Sequence, residues 1–171
     1  MPERQLTDGK DECTIGQAKA NGNMMGFCLF DSSFNRRLQT ANVNQYRDGV
    51  CHPERVLEVH DLVIVIAGAW EIIEDGTPYT LAPGDAILLA AGNRHGGTRP
   101  CAAGTRTIFV HFYPHPGDRY RRRPPTLPRR STGIVAVPTL SSRPPSLATK
   151  GLGEQIVRAF WSRDPNGILR A

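Results

Sequence analysis

The sequence predicts a mainly β fold, an antiparallel β-barrel followed by a C-terminal α-helical segment. Three observations support this prediction. Between Arg55 and Phe112, apolar runs of five to eight residues are rich in Val, Ile, Leu, Thr and Tyr, and are too short for globular helices. Turn signals such as Asp75-Gly76 and Pro83-Gly84-Asp85 separate these runs at regular spacing. Outside this stretch, residues 149–162 place apolar side chains at helical intervals.

Bulk properties indicate one domain with a substantial core. The chain has 171 residues, of which 39% are apolar, and a net charge of +5. It contains no run of eighteen apolar residues and no signal-peptide pattern at its start, so we expect a cytoplasmic protein without a membrane contact. The four cysteines are widely spaced and form no Cys-x-x-Cys motif, which favours thiols over disulfides or a zinc site.

The first part of the chain is weakly patterned. Residues 1–24 are polar and rich in Gly and Asn, and we expect a flexible N-terminal arm. The more apolar stretch from Met25 to Phe34 indicates an edge strand or a lid over the core. Residues 38–46 alternate weakly, as in a first or second strand.

We assign the barrel to residues 25–113. Residues 55–59 and 62–67 form its first strong strand region, and one continuous strand is an open alternative. Asp75-Gly76 predicts a tight hairpin, because both residue types tolerate positive φ. Residues 105–112 alternate, with Ile108, Val110 and Phe112 on one side and Thr107, Phe109 and His111 on the other. The pattern leaves open which side faces inward.

Residues 114–148 are rich in Arg and Pro. Six arginines and one aspartate between Pro116 and Arg130 account for the whole net charge of +5. A phosphate-binding patch would explain them, and steep salt dependence of DNA binding would test it. We favour a solvated connector, because the prolines oppose any element that reads a nucleic-acid groove. Residues 134–140 fit an extended strap docked on the barrel.

Residues 149–171 are assigned to a C-terminal helix and the start of a second helix. Leu152, Ile156 and Phe160, with Val157 and Trp161, fall near one face of the helix between Thr149 and Ser162. This face predicts a dimer surface or a relay element. A helix packed on its own barrel has the same pattern. Pro165 favours the first turn of a second helix.

One ordered set of residues resembles a known family. Gly84-Asp85, a buried strand, the turn Ala90-Ala91-Gly92 and then His95 resemble the second half of a cupin motif. Asp61, seven residues before Gly68, fills the acidic position of the first half, but the usual His-x-His pair near residues 55–57 is absent. The wider order resembles the N-terminal effector-binding cupin of AraC/XylS-type transcription regulators across residues 42–170, and it comprises Pro53, Arg55, Val56, His60, Asp61, Leu62, Gly68, Gly84, Asp85, Leu88, Leu89, Gly92, His95, Thr105, Arg106, His111 and Phe112.

The resemblance implies a cupin-like jelly roll that binds a small effector, in that family often a sugar, and forms a homodimer. It also implies DNA binding by a C-terminal pair of helix-turn-helix units. Since the sequence ends before any such unit, we expect DNA contact only through a missing C-terminal domain. The expected chain is a sensor, not an enzyme, with no resident cofactor.

Five residues are candidate ligand contacts. His95 follows the turn where a cupin directs a side chain into the barrel, and His111 lies late in a strand where cupins place another ligand. Trp70 and Tyr79 could supply an aromatic surface, although core packing explains both equally well. Arg55 could bind a carboxylate or phosphate through a bidentate contact, or its side chain could extend to solvent.

The alternative function is a metal-dependent small cupin enzyme, an oxygenase or isomerase. His95, His111 and Asp61 would then bind a divalent transition metal. The missing His-x-His pair opposes this alternative. His60 and Asp61 cannot both contribute, because adjacent strand residues point to opposite faces.

Overall fold

The computed structural model describes residues 26–123, 125, 133–142 and 147–162. The predicted N-terminal arm, residues 1–24, and the predicted start of a second helix near residue 166 lie outside these ranges. Within them are twelve strands and one helix: β1 (Phe27–Asp31), β2 (Leu38–Gln45), β3 (Arg55–Val56), β4 (His60–Ala67), β5 (Trp70–Glu74), β6 (Thr77–Leu81), β7 (Ala86–Leu89), β8 (Arg94–Gly97), β9 (Arg106–Phe112), β10 (Arg119–Arg121), β11 (Ile134–Pro138), β12 (Leu140–Ser141) and α1 (Leu147–Trp161).

The predicted fold class is confirmed. A five-stranded sheet has the order β12-β7-β4-β9-β2, and a four-stranded sheet has the order β3-β8-β5-β6. The paired strands are antiparallel. Apolar side chains from both sheets meet in one core, to which Val63 and Leu89 contribute from the first sheet and Trp70 and Leu81 from the second. This arrangement of two packed antiparallel sheets is that of a jelly-roll barrel.

Turns occur where the sequence predicts them. Asp75 and Gly76 join β5 to β6 with φ angles of 44° and 78°, as a two-residue hairpin with positive φ requires. Gly84, at φ 97°, lies in the turn before β7. These glycine and aspartate positions therefore set the strand boundaries that the sequence indicates.

The alternative of one continuous strand over residues 55–67 is wrong. β3 pairs with β8 in the four-stranded sheet, whereas β4 pairs with β7 and β9 in the five-stranded sheet. The chain crosses between the sheets at residues 57–59, which are not in a strand. The break between β3 and β4 is set by pairing with distant strands, so the local apolar pattern does not predict it.

A third sheet has the order β10-β1-β11. β1 is thus its central strand, and the interpretation of residues 25–34 as an edge strand is wrong. The described part of the Arg/Pro-rich segment supplies β10 and β11 to this sheet and β12 to the five-stranded sheet. Residues 134–140, interpreted as a docked strap, therefore belong to β11 and β12, except for Thr139 between the two strands.

α1 packs on β2, β4 and β9. It begins at Leu147, two residues before the predicted start, and it runs through Gly151, a residue that a helix interior tolerates at a modest cost. Ile156, Val157 and Phe160 pack on the cluster around Ile64 and Ile108. Within the described ranges, no helix is long and apolar enough to cross a membrane.

The docked face of α1 is rotated from the predicted face. A Cβ built on Gly153 would lie 3.1 Å from Cδ1 of both Ile64 and Ile108, so the helix backbone approaches the sheet closely there. Leu152 and Trp161 are 56% and 58% exposed. The predicted helix set of Leu152, Ile156, Phe160 and Trp161 therefore divides into two docked residues, Ile156 and Phe160, and two exposed ones.

Candidate functional site

A cavity of about 230 Å³ lies between the two large sheets. Strands β2, β3, β4, β5 and β9 supply most of its lining, and the segments that follow β2 and precede β3 supply the rest. The lining comprises Asn44, Tyr46, His52, Arg55, Asp61, Val63, Trp70, Thr107, Phe109 and His111. It combines charged, hydrogen-bonding and aromatic groups, which is the usual composition of a small-molecule site.

Strand alternation builds one wall of the cavity. In β9, Thr107, Phe109 and His111 line the cavity, whereas Ile108 and Val110 lie in the cluster beneath α1. This decides the question of orientation that the sequence leaves open. A side-chain period of two explains why one strand serves the cavity on one face and the helix on the other.

Two oppositely charged side chains mark the polar end of the cavity. The Nη2 atom of Arg55 lies 3.8 Å from Oδ2 of Asp61, whose side chain is only 2% exposed. The Nε2 atom of His111 lies 3.2 Å from the same oxygen. Arg55 from β3 and His111 from β9 therefore both approach the buried carboxylate of Asp61 in β4.

His95 stands behind Arg55 rather than in the cavity lining. Register places Arg55 opposite His95 across the β3–β8 pair, and Arg55 Nε donates to His95 Nε2 at 3.3 Å. Burial lowers the pKa of His95, and the positive charge of Arg55 lowers it further, while Asp61 opposes the shift. A neutral imidazole that accepts this hydrogen bond fixes the direction of the guanidinium group.

His52 is a cavity residue that the sequence interpretation missed. Its ring stacks on His95 at a centroid distance of 5.7 Å and meets Trp70 edge-on at 5.1 Å. Burial, aided by Arg55, lowers the pKa of His52 to about 3, so the ring is neutral at physiological pH. It lies in an irregular segment before Pro53, where no strand or helix period indicates which way a side chain points.

The aromatic wall consists of Trp70, Tyr46 and Phe109. Of the two predicted aromatic contacts, Trp70 lines the cavity. Tyr79 lies in the apolar core, 5% exposed, and is not among the lining residues. Tyr79 pairs with Ile72 across the β5–β6 hairpin and therefore sits two residues along β5 from Trp70.

Several polar atoms of the lining lack a hydrogen-bond partner within the part of the chain that the structure describes. They include Nε2 of His52, Oδ1 of Asp61 and Nε1 of Trp70. A buried polar group without a partner costs free energy. All three residues line the cavity, so a polar molecule that reaches these atoms would recover that free energy.

Asn44, Tyr46 and Thr107 complete the polar lining. Register pairs Asn44 with Thr107 across β2 and β9. The sequence pattern did indicate a strand with Asn44 and Tyr46 on one side, but it did not show that this side faces a cavity.

The residues proposed for a metal do not fit one. Among the described residues, no group of three or more His, Cys, Asp or Glu side chains is arranged to hold a metal ion. The guanidinium of Arg55 lies between His95 and Asp61 and contacts both, so a fixed positive charge stands where a cation would bind. The alternative ligand set of His95, His111 and Asp61 is therefore not assembled as a metal centre.

His60 points away from the cavity, as alternation with Asp61 requires. Its Nδ1 accepts a hydrogen bond from the backbone of Ala91 at 3.1 Å, and its Nε2 lies 3.3 Å from Asp118 Oδ2. Arg36 binds both oxygens of Asp118 at 2.7 and 2.8 Å. This network lies outside the site and ties β10 and the segment before it to the barrel.

Parts of this chain are similar in sequence or structure to known proteins. No family model matches it. Over 70 residues it is 34% identical to an uncharacterised HTH-type transcriptional regulator, YisR, of Bacillus subtilis; the match covers 41% of this chain and 24% of that protein. The chain thus spans about a quarter of the length of the curated relative that it matches.

Similar solved structures have low sequence identity and include cupin domains. An RmlC-like cupin from Shewanella frigidimarina has a TM-score of 0.41 and 20% identity, over 48% of this chain and 72% of that one. KdgF from a Halomonas species has a TM-score of 0.39 and 22% identity, over 47% and 79%. A predicted oxalate decarboxylase from Thermotoga maritima has a TM-score of 0.41 and 10% identity, over 45% and 68%.

Proposed function

We propose that this barrel is the effector-sensing domain of a transcription regulator of the AraC/XylS type. The observation that supports this most is the cavity between the two sheets, with its ion pair on a buried carboxylate, aromatic wall and unpartnered polar atoms. Such a lining recognises a small polar molecule. The match to an HTH-type regulator over 70 residues supports the same function.

The strands that line the cavity also carry α1, which gives the proposal a mechanism. Asp61 and Val63 line the cavity from β4, and Ile64 of the same strand packs under the helix. At the C-terminal end of α1, Trp161 Nε1 donates a hydrogen bond to the carbonyl oxygen of Ala41 in β2 at 2.7 Å. Only the strands of this sheet separate a molecule in the cavity from α1, so a shift of β4 on binding would reach the helix directly.

Effector binding shifts the populations of two helix arrangements, by no more than its difference in affinity for them. The exposed Leu152 and Trp161 are then available to a second copy, so the proposed assembly is a homodimer. In this proposal, DNA binding is assigned to a separate helix-turn-helix domain and not to the barrel. The effector is a small polar molecule, for which a sugar is one candidate class.

A ligand screen with a blocked cavity tests this function. Thermal unfolding of the wild-type chain is followed against a library of polar metabolites, together with Thr107→Phe, which fills the cavity, and Thr80→Phe on the exposed side of β6. We expect at least one compound to stabilise the wild type and Thr80→Phe but not Thr107→Phe. Equal stabilisation of all three chains, or of none, contradicts the proposal.

The metal-dependent enzyme is the weaker alternative. Three imidazoles and one carboxylate lie near one another, with His52 and His95 stacked and His111 beside Asp61. However, the Arg55 guanidinium contacts both His95 and Asp61, and the described residues form no metal-binding group. Elemental analysis of the purified protein separates the two functions. Stoichiometric metal that His95→Ala removes would support the enzyme. Substoichiometric metal that His95→Ala leaves unchanged would exclude it.

A further inference from the structure

The two charged groups of the ion pair in the cavity are not in close contact. Arg55 and Asp61 make a single contact of 3.8 Å, well beyond the distance of a charge-assisted hydrogen bond. The Nε donor of Arg55 is already directed to His95. The remaining N–H groups of this 35% exposed guanidinium are therefore available at the cavity.

The carboxylate partner has unused capacity as well. Asp61 Oδ2 faces both Arg55 and His111, but Oδ1 has no hydrogen-bond partner among the described residues, and the side chain is 2% exposed. A carboxylate so deeply buried requires donors to offset its lost hydration. A ligand group that reaches Oδ1 and donates a hydrogen bond to it supplies the missing partner.

We propose that the effector is a free α-amino acid, whose carboxylate binds Arg55 and whose ammonium group binds Asp61. This inference rests on the proposed sensing function. A zwitterion matches both charges of the cavity and leaves its net charge unchanged. A ligand with one net charge leaves either Arg55 or Asp61 facing a like charge or an unpaired buried charge, which costs affinity.

The rest of the cavity limits the side chain of the amino acid. Its volume of about 230 Å³ corresponds to roughly eight waters of liquid. Tyr46, Val63, Trp70 and Phe109 line it with apolar surface. An aliphatic or aromatic side chain fits this wall, and a charged side chain would lack a counter-charge there.

The experiment measures binding of the twenty α-amino acids individually to the wild-type chain by thermal shift, and then by titration calorimetry for those that stabilise it. The best binder is compared with two analogues of the same side chain, one lacking the amino group and one lacking the carboxylate. We expect each analogue to bind at least about tenfold more weakly. This comparison uses only wild-type protein, so variant folding does not enter it.

One variant and its control test the contact with the ammonium group. Asp61→Asn should weaken binding of the amino acid more than binding of the analogue without the amino group. Glu58→Gln, on an exposed loop, is the control and should change neither affinity. If no amino acid binds but an aldopentose or another neutral metabolite does, the amino-acid proposal is overturned and effector sensing stands. If no metabolite binds in the cavity, both proposals fail. Analogues that bind as well as the amino acid also overturn the inference.

Discussion

Glu74 provides a prediction about folding that stands apart from the cavity. It lies at the end of β5 and is 0% exposed. Its Oε1 accepts hydrogen bonds from the backbone N–H of Ala90 at 2.7 Å and from Asn93 Nδ2 at 3.1 Å. Burial raises the pKa of this carboxyl group to about 7, although both hydrogen bonds oppose the shift.

The size and sign of the effect follow from linkage. The ordinary pKa is 4.5, so between pH 4.5 and about 7 the folded protein binds a proton that the unfolded chain has lost. The contribution of Glu74 is therefore fully present below pH 4.5 and declines as pH rises toward 7. A shift of this size corresponds to a loss of about 3 kcal/mol of unfolding free energy.

Urea unfolding of the wild type and of Glu74→Gln across this pH range measures the effect. Glutamine keeps an oxygen for Ala90 and Asn93 but does not ionise, so its stability relative to wild type should rise by about 3 kcal/mol from pH 4.5 to about 8. Glu58→Gln, at an exposed position, is the matched control and should show little change. A difference between wild type and Glu74→Gln that stays constant with pH would refute the reasoning.

Three further predictions concern how α1 and β10 are held. In urea unfolding, Gly151→Ala should stabilise the protein by about 0.5–1 kcal/mol, because nothing lies within 4 Å of the added Cβ. Gly153→Ala should stabilise it less or destabilise it, because its Cβ would lie 3.1 Å from Cδ1 of Ile64 and Ile108. Trp161→Phe should cost about 1 kcal/mol and raise hydrogen exchange at the end of α1, since its hydrogen bond to β2 is lost; unchanged exchange would contradict this contact. Arg36→Met should cost about 3 kcal/mol by thermal or urea unfolding, because it leaves the carboxylate of Asp118, 7% exposed, with its main counter-charge removed; a near-neutral result would show that His60 suffices.

The sequence predicts the fold well because turns and strands are local properties. Asp75-Gly76 forms the expected hairpin because its φ angles are accessible to those residue types. The apolar run of β4 is buried on both faces because the cavity core lies on one side and α1 on the other. The signals that predict these features, a turn dipeptide and a continuous apolar run, each lie within a few neighbouring residues of the chain.

The site is less predictable because it depends on register between distant segments. His95 was expected to contact the ligand, but pairing of β3 with β8 places Arg55 in front of it. His52 lies in an irregular segment, and the stacking on His95 that identifies it involves residues 43 positions apart. The sequence predicts functional roles for Asp61, Arg55, Trp70 and His111, but no local pattern shows that they surround one cavity.

Hydrogen–deuterium exchange tests the central claim most directly, that occupancy of the cavity acts on α1. It is measured over residues 150–161 with and without the compound that stabilises the wild-type chain most, and again with Thr107→Phe. We expect binding to change hydrogen exchange in α1 of the wild type, and the blocked cavity of Thr107→Phe to abolish this change. Binding that leaves α1 exchange unaltered, or a change that persists in Thr107→Phe, would contradict it.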